Sequence, residues 1–485
     1  MTKIKDILYK VSVDTIIGST ESLVGQITFD SRNVLKGSVF VAIKGDQIDG
    51  HIFIDDAIQN GSRVIVCEKL PSNLIDGKIY VKVKDSRVAL SLIAANFYGN
   101  PSDKLDVIGV TGTNGKTTIS TLLYEVFNSQ NISSGLISTV EIKYDNKSIA
   151  TNLTTPDPLT INSSLNDMLE SGVKKCFMEI SSHGIDQKRV NGIKFKGMLF
   201  TNLTHDHLDY HQSFKNYRDV KKHVFDFLSK NAFALVNLDD RNAKYMLQNS
   251  RAKKYTYAIH KLADYNTKIL ENQFRGMLLK IKGNEIWTQM IGEFSAYNLL
   301  AVYATSMILG LEELSVLKKI SELESVSGRF QIYQAPNGIM VVVDYAHTPD
   351  ALKNVLSTID KVRTKNENLY TIVGCGGDRD KKKRSKMGAV AARFSSKVIF
   401  TSDNPRNENP ESIIQEMVEG VNPTDFNKTT VVIKRDEAII AAYKCSNPGD
   451  IVLIAGKGHE NYQEINGERY PFNDYEYAKK IFSKI

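Results

Sequence analysis

Gly109-Val-Thr-Gly-Thr-Asn-Gly-Lys-Thr-Thr118 is the stretch on which the fold turns. The apolar run Leu105–Val110 precedes it, and a helical pattern from Thr118 to Phe127 follows. A strand, a glycine-rich turn and a helix in that order make a phosphate cradle. The glycines let backbone N–H groups approach phosphate oxygens, and the helix N-terminus adds partial positive charge. Lys116 supplies a full charge, and the hydroxyl of Thr117 or Thr118 suits Mg2+. The spacing departs from the usual GxxxxGK[ST]: Val110 stands where that pattern has glycine, and the glycines fall at 109, 112 and 115.

The chain has 485 residues, 42% hydrophobic and 24% charged. That is enough apolar material for globular cores, and for about three domains. The net charge of +7 is mild. The densest basic run, Lys381-Lys-Lys-Arg384, has no nucleic-acid-binding motif beside it and reads as a solvated loop or an anion site, so no nucleic acid is expected as partner. Cysteines 67, 176, 375 and 445 form no CxxC pair and read as reduced thiols. The first ten residues are too charged for a signal peptide's apolar core, and no run of eighteen apolar residues occurs. The expectation is a cytoplasmic protein without membrane insertion.

Outward from the loop, three α/β segments are expected. Residues 1–101 contain short β-like runs (Gly37–Ile43, Arg63–Cys67) and end in a helical pattern closed by Tyr98-Gly-Asn-Pro101. Residues 102–328 alternate apolar strands (Lys175–Ile180, Gly197–Thr201, Ala232–Asn237) with helical stretches, which predicts a largely parallel sheet with the loop at a strand's carboxyl end. Residues 329–485 resume the alternation through Ile339–Asp344, Leu369–Val373, Lys397–Phe400, Thr430–Ile433 and Asp450–Ile454, which predicts a second doubly wound domain.

Three further features of the middle segment could surround a triphosphate. Glu179 ends an apolar run and reads either as a second metal ligand or as a helix-capping carboxylate. His207 follows another such run; because Mg2+ prefers oxygen, residue type alone makes it a core or hydrogen-bonding histidine. Lys221, by itself, reads as a surface lysine on a helix.

Taken together the motifs resemble the Mur ligases, the ATP-dependent amide-forming ligases of bacterial peptidoglycan synthesis. The resemblance rests on Thr28-Phe-Asp-Ser-Arg32, the loop 109–118, Thr154-Thr-Pro156, Glu179-Ile-Ser-Ser-His183, Asp206-His-Leu-Asp-Tyr-His211, Tyr297-Asn298 and Gly328-Arg329. It continues through Asp344-Tyr-Ala-His-Thr-Pro349, Gly374-Cys-Gly-Gly-Asp-Arg-Asp380, Asp403-Asn-Pro-Arg406 and Gly456-Lys-Gly-His-Glu460. It implies an N-terminal UDP-binding domain, a central P-loop ATPase domain and a C-terminal Rossmann-like domain. It also implies that Lys221 carries a CO2-derived carbamate, an oxygen ligand for Mg2+. By the same resemblance Glu179 and His207 bind a second Mg2+, and a loop threonine, Thr117 or Thr118, binds the first. ATP is to be held by Gly112, Thr113, Asn114, Gly115, Lys116, Thr117, Thr118, Asn298, Arg329 and Asp344. Ser31 and Arg32 match uridine-side contacts, and Thr154, Thr155, Ser181, Gln187 and Arg189 match those holding a UDP-N-acetylmuramoyl-dipeptide.

The implied chemistry moves the γ-phosphoryl of ATP to a γ-carboxylate, and an amine then displaces phosphate from the acyl phosphate. The amino acid is expected to be meso-diaminopimelate, because Arg406 can bind its distal carboxylate bidentately and L-lysine has none. Arg379, Asp403, Asn404, Gly456 and Glu460 match further contacts to it. The alternatives are L-lysine as the added amino acid, a folylpolyglutamate synthetase, or a non-catalytic nucleotide-gated binding protein on the same fold. A monomer is expected.

Overall fold

Strands and helices alternate along the chain and assemble into three principal sheets of five, eleven and six strands. The computed structural model describes residues 1–45, 48–151 and 153–483. In the first sheet Val13–Ile17 runs antiparallel to Ile79–Val83, and Val64–Cys67, Val39–Val41 and Ile27–Thr28 continue it in parallel. Helix Ser86–Phe97 covers one face, its N-terminus capped by the Asp85 carboxylate on the Val88 N–H.

Asp106–Thr111 lies in the middle of the eleven-stranded sheet, between Lys175–Glu179 and Phe195–Phe200, all parallel. Phe233–Asn237 and Lys253–Ala258 extend the parallel run. Both edges depart from the parallel expectation. Glu141–Tyr144 and Lys147–Ala150 form an antiparallel hairpin on one side, and the meander Tyr265–Gln273, Gly276–Ile281, Asn284–Thr288 closes the other. Hairpin turns need only a few residues, so antiparallel strands can be added at an edge without a crossover helix. Apolar clusters fill both faces of this sheet. One contains Val107, Met178 and Phe200, and the other packs Ile108 and Phe177 against helices Lys116–Ser129 and Glu293–Ile308.

The third sheet places Met340–Asp344, Ile451–Ala455, Leu369–Val373, Lys397–Phe400 and Thr429–Val431 in parallel, with Gln331–Gln334 antiparallel at one edge. The basic run Lys381–Arg384 corrects the sequence expectation of a solvated loop or anion site. Its last three residues open helix Lys382–Phe394, and Arg384 is completely buried. Its guanidinium donates to Glu408 (2.8 and 3.0 Å) and Glu416 (3.1 Å), because an arginine leaves water only where carboxylates meet it. The four cysteines are free, as expected. Among the described residues no helix is long and apolar enough to cross a membrane.

Candidate active site

The loop after Asp106–Thr111 turns through Gly112 (φ +147°) and Gly115 (φ +88°) before helix Lys116–Ser129 begins. Both glycines are required by close neighbours as well as by φ. A Cβ on Gly112 would lie 1.9 Å from Thr201 Oγ1, and one on Gly115 would lie 2.6 Å from Asn298 Oδ1. Lys116 Nζ folds over the loop onto the carbonyls of Gly112 (3.1 Å) and Thr113 (2.8 Å). Burial pulls its ammonium below the ordinary lysine range, while Glu179 and Asp206 oppose that shift.

Glu179 is paired in register with Val110 and so emerges beside the loop, fully buried. Its carboxylate accepts from Thr117 Oγ1 (2.9 Å), Thr139 Oγ1 (3.1 Å) and the Thr139 N–H (2.7 Å). From the C-terminal side, Arg329 Nη2 donates to the same Thr117 hydroxyl at 3.0 Å, and its guanidinium lies 4.4 Å over the Tyr345 ring. Arg329 Nε is buried with no hydrogen-bond partner among the described residues. Asp344 accepts from the Phe330 N–H at 2.6 Å; burial pushes its carboxyl up to about 6, and Arg329 opposes this. A cavity of about 530 Å3 is lined jointly by Thr113–Thr118, Glu179, His207, Asn298, Arg329 and Asp344. Of the expected nucleotide and metal residues, all but Gly112 and Lys221 line this cavity; those two meet behind the loop, Lys221 Nζ on the Gly112 carbonyl.

His207 stands in the left-handed region (φ +53°) with its ring 4.8 Å from that of His183 and Nε2 3.4 Å from Asp206 Oδ2. Burial keeps its imidazole neutral below the usual histidine range, the form that can act as a ligand. Among the described residues no three acids, histidines or cysteines form a metal cluster; the close oxygen pair is Thr117 with Glu179. Lys221 is not the surface lysine its residue type suggests. It is 1% exposed, on helix Phe214–Asp226, with Nζ 2.9 Å from Gly112 O and 4.9 Å over the Tyr217 ring. Burial and the neighbouring Lys116 hold it far below the ordinary lysine range.

Thr155 ties the expected dipeptide-end residues to Glu179. Its hydroxyl donates to Glu179 O (2.9 Å) and accepts from the Ser181 N–H (2.9 Å), while Arg189 donates to Thr155 O (2.6 Å) and to Gln187. Thr154 lies 3.1 Å from the Thr139 hydroxyl, whose proton goes to Glu179, so Thr154 donates to it, and Thr154 lines the cavity. Ser31 and Arg32 sit on an exposed turn of the first sheet, where Arg32 forks onto Asp30 at 2.7 and 2.9 Å.

Asp403, Asn404, Arg406, Gly456 and Glu460 meet at the carboxyl ends of Lys397–Phe400 and Ile451–Ala455, and Arg379 lies exposed on the neighbouring loop. Asn404 Nδ2 donates to Glu460 Oε2 (2.8 Å). Arg406, with φ +51°, donates to Gly377 O (2.7 Å) and lies 3.4 Å from Glu464 Oε2. Tyr345 links this cluster to the nucleotide cavity, its ring 4.9 Å from that of His459. Sequence reasoning missed Thr139, which holds Glu179, and Tyr217, whose hydroxyl holds Thr113 at 3.1 Å. Nothing marks Thr139 in the sequence. Tyr217 lies four residues before Lys221 on the same helical face, a spacing that could have found it.

A phosphate loop of this build, closed from across a cavity by an arginine and an aspartate of a second parallel sheet, defines a multidomain nucleotide-dependent α/β enzyme. The chain belongs to the Mur ligase family. The model described as "Mur ligase family, catalytic domain" matches residues 24–98, "Mur ligase middle domain" matches 110–306, and "Mur ligase, glutamate ligase domain" matches 328–458. The chain is 48% identical over 485 residues to UDP-N-acetylmuramoyl-L-alanyl-D-glutamate–2,6-diaminopimelate ligase of Cytophaga hutchinsonii, covering 100% of this chain and 99% of that one. It is 38% identical to the ligase of the same name from Clostridioides difficile over 491 residues, with 100% of both chains covered. A solved structure of a UDP-N-acetylmuramoyl-L-alanyl-D-glutamate–2,6-diaminopimelate ligase superposes with a TM-score of 0.69 at 31% identity, covering 99% of this chain and 98% of that one. The fold is shared with MurF of Thermotoga maritima in complex with ADP, at 19% identity and a TM-score of 0.64 over 95% of this chain and 97% of that one.

Proposed function

We propose that this chain is the ATP-dependent ligase that joins meso-2,6-diaminopimelate to the D-glutamate γ-carboxylate of UDP-N-acetylmuramoyl-L-alanyl-D-glutamate. The observation that carries this reading is the single cavity in which the phosphate loop and Glu179 face Arg329 and Asp344. The names of relatives at 48% and 38% identity support the choice of substrates. Residues 1–101 hold the UDP end, 102–328 the ATP, and 329–485 the amino acid. In this reading the chain acts as a cytoplasmic monomer.

A carboxylate does not acylate an amine at neutral pH, because its oxygen is a poor leaving group. One γ-carboxylate oxygen attacks the γ-phosphorus of ATP, the P–O bond to ADP breaks, and an acyl phosphate forms. The free-base amine then attacks the carbonyl carbon, phosphate leaves with the C–O electrons, and the amine proton passes to solvent. Lys116 and Arg329 neutralise oxygen charge that grows in the first step. Arg329 Nε, orphaned inside the protein, suits a phosphate oxygen. Thr154, Thr155, Ser181, Gln187 and Arg189 hold the dipeptide end along the path to Glu179, and Ser31 with Arg32 the uridine end. Asn298 and Asp344 flank the nucleotide.

Thr117 and Glu179, 2.9 Å apart, each offer the kind of oxygen donor that Mg2+ takes before completing its shell from phosphates and water. Bound there, the cation would offset repulsion between the two reacting anions. Thr117 would hold one ion with Thr118 beside it, and Glu179 and His207 a second. A carbamate on Lys221 would add an oxygen donor; the burial that lowers the basicity of that amine favours its reaction with CO2.

Arg406 reads the distal carboxylate of diaminopimelate, with Arg379, Asp403, Asn404, Gly456 and Glu460 around the same head group. L-Lysine offers the guanidinium no distal carboxylate and leaves it only Glu464 (3.4 Å) and the Gly377 carbonyl (2.7 Å), so the bidentate pair with substrate is lost. Phosphate release dependent on the UDP-sugar is to be compared with meso-diaminopimelate and L-lysine, in the wild type and in Arg406→Ala. The wild type turns over the first, and Arg406→Ala loses the preference. A wild type that prefers L-lysine overturns the specificity, and absence of ADP with every substrate present overturns the enzyme.

A further inference from the structure

Lys457, inside the Gly456–Glu460 loop, is completely buried, and unlike Lys221 it has a carboxylate partner there. Its Nζ donates to Asn404 Oδ1 and to Glu460 Oε2, both at 2.9 Å, and lies 5.5 Å over the Tyr462 ring. Asn404 Oδ1 also accepts from the Glu464 N–H at 2.9 Å. With that oxygen engaged twice, the amide has one orientation. Its nitrogen faces Glu460 Oε2 at 2.8 Å and keeps a second N–H to give. Lys457 and Asn404 therefore converge on the same oxygen of Glu460, and Oε1 is held by neither. Asp403 packs against Gly456, where a Cβ would meet Asp403 Oδ2 at 2.5 Å, so two acids share this buried corner with one lysine.

We propose that Lys457 is a positioning residue that sets the polarity of the amino-acid site, fixing Glu460 and the Asn404 amide so that one carboxylate oxygen and one N–H meet the ammonium and carboxylate of a zwitterionic head group. It rests on the amino-acid site assigned above. Lys457 touches no reacting atom; it acts through Glu460 and Asn404. The groups facing Glu460 are Asp403 and Asn404 from the loop after Lys397–Phe400, Lys457 on its own loop, Tyr345 after Met340–Asp344, Tyr462 at the start of strand Tyr462–Ile465, and Arg435 at the start of helix Arg435–Cys445. Burial and Asp403 raise the Glu460 carboxyl, and Lys457 and Asn404 hold it down. Without Lys457, Glu460 takes up its proton at higher pH, and the head group loses its anion there.

The test uses the full chain with Lys457→Met, phosphate release being read at saturating ATP and UDP-sugar-dipeptide while meso-diaminopimelate is varied. KM for the amino acid rises about thirtyfold, the low end for truncating one member of a buried hydrogen-bonded charge pair. KM for ATP stays near the wild-type value, and the acid limb of kcat/KM for the amino acid moves to higher pH. In Lys457→Met/Glu460→Gln that limb disappears while KM stays raised. This double variant, which removes the uncompensated acid, replaces the single one should the latter fail to fold. A wild-type KM and an unmoved limb overturn the proposal, as does an equal rise in both KM values with an unmoved limb, which is the mark of general damage. Absence of diaminopimelate-dependent turnover in the wild type overturns the site assignment itself, and the proposal with it.

Discussion

Arg329 Nη2 donates to Thr117 Oγ1 at 3.0 Å, a contact between residues 212 positions apart. The single hydroxyl proton of Thr117 goes to Glu179 Oε2, so the oxygen is free to accept from Arg329. A residue at the start of the third segment thereby orients the hydroxyl proposed as a magnesium ligand. Thr117→Val keeps the shape and removes both bonds, each to a charged group. The loss is about 3 kcal/mol, or roughly a hundredfold in kcat/KM for ATP, and Thr117→Ser restores most of it. Steady-state kinetics with ATP varied reads this, and a valine variant with wild-type kcat/KM would remove Thr117 from the machinery.

Lys221 is a buried amine whose hydrogen-bond partners are a carbonyl at 2.9 Å and a hydroxyl at 3.5 Å, with no carboxylate in ion-pair contact among the described residues. Burial and the neighbouring Lys116 depress its basicity, the direction that favours a nucleophilic nitrogen. Enzyme equilibrated in CO2-free buffer is therefore expected to lose activity and to regain it with bicarbonate. Labelled 13C-bicarbonate should add one carbonyl resonance that Lys221→Arg lacks. Full turnover without CO2, and no such resonance, would speak against the carbamate.

The phosphate loop was legible because its parts are neighbours in the chain: strand, glycines, lysine and helix start lie within a dozen or so residues, and local sterics dictate the turn. Glu179 was legible as a strand end and Lys221 as a helical position, but the burial of Lys221 was not. That burial is produced by Thr111 and Gly112, about a hundred residues earlier, meeting the Phe214–Asp226 helix. Arg384 was misread for the same reason, since its charge is met by Glu408 and Glu416 on elements with no sequence signal linking them to it. The antiparallel strands between Tyr265 and Thr288 carry mixed polar and apolar residues, because one side of this edge meander stays wet, and so gave no clean apolar run.

Asp344 gives a pH dependence of defined sign. Its carboxyl is raised in the fold to about 6 from an ordinary 3.8, chiefly by burial. The protonated form is the one the fold favours, so the contribution is fully present below about pH 4 and is lost as pH rises through 6. Asp344→Asn keeps an acceptor for the Phe330 N–H and carries no charge. It is expected to exceed the nucleotide-free wild type in stability by about 3 kcal/mol at pH 7.5, the difference closing below pH 4. Denaturant unfolding at several pH values checks this, and a difference that grows on acidification would reverse the assignment.

Gly112 and Gly115 should respond differently to the same added methyl. At Gly112 the backbone sits at φ +147°, a conformation nearly reserved for glycine, and the new Cβ lies 1.9 Å from Thr201 Oγ1 and 3.0 Å from Asn202 O. Thr201 cannot simply swing aside, because its hydroxyl donates to Asn114 O at 2.6 Å and holds the loop. Gly112→Ala therefore distorts the cradle itself. Backbone strain alone costs about 1–3 kcal/mol, and Thr201→Ala in the same chain relieves the clash but not the strain. At Gly115 the nearest obstacle is a side-chain oxygen, Asn298 Oδ1 at 2.6 Å, and φ of +88° lies nearer the left-handed region that other residues reach. Binding of a fluorescent ATP analogue should fall furthest for Gly112→Ala, stay low in Gly112→Ala/Thr201→Ala, and suffer less in Gly115→Ala. Equal affinities across the three variants would mean that the loop is not held by these contacts.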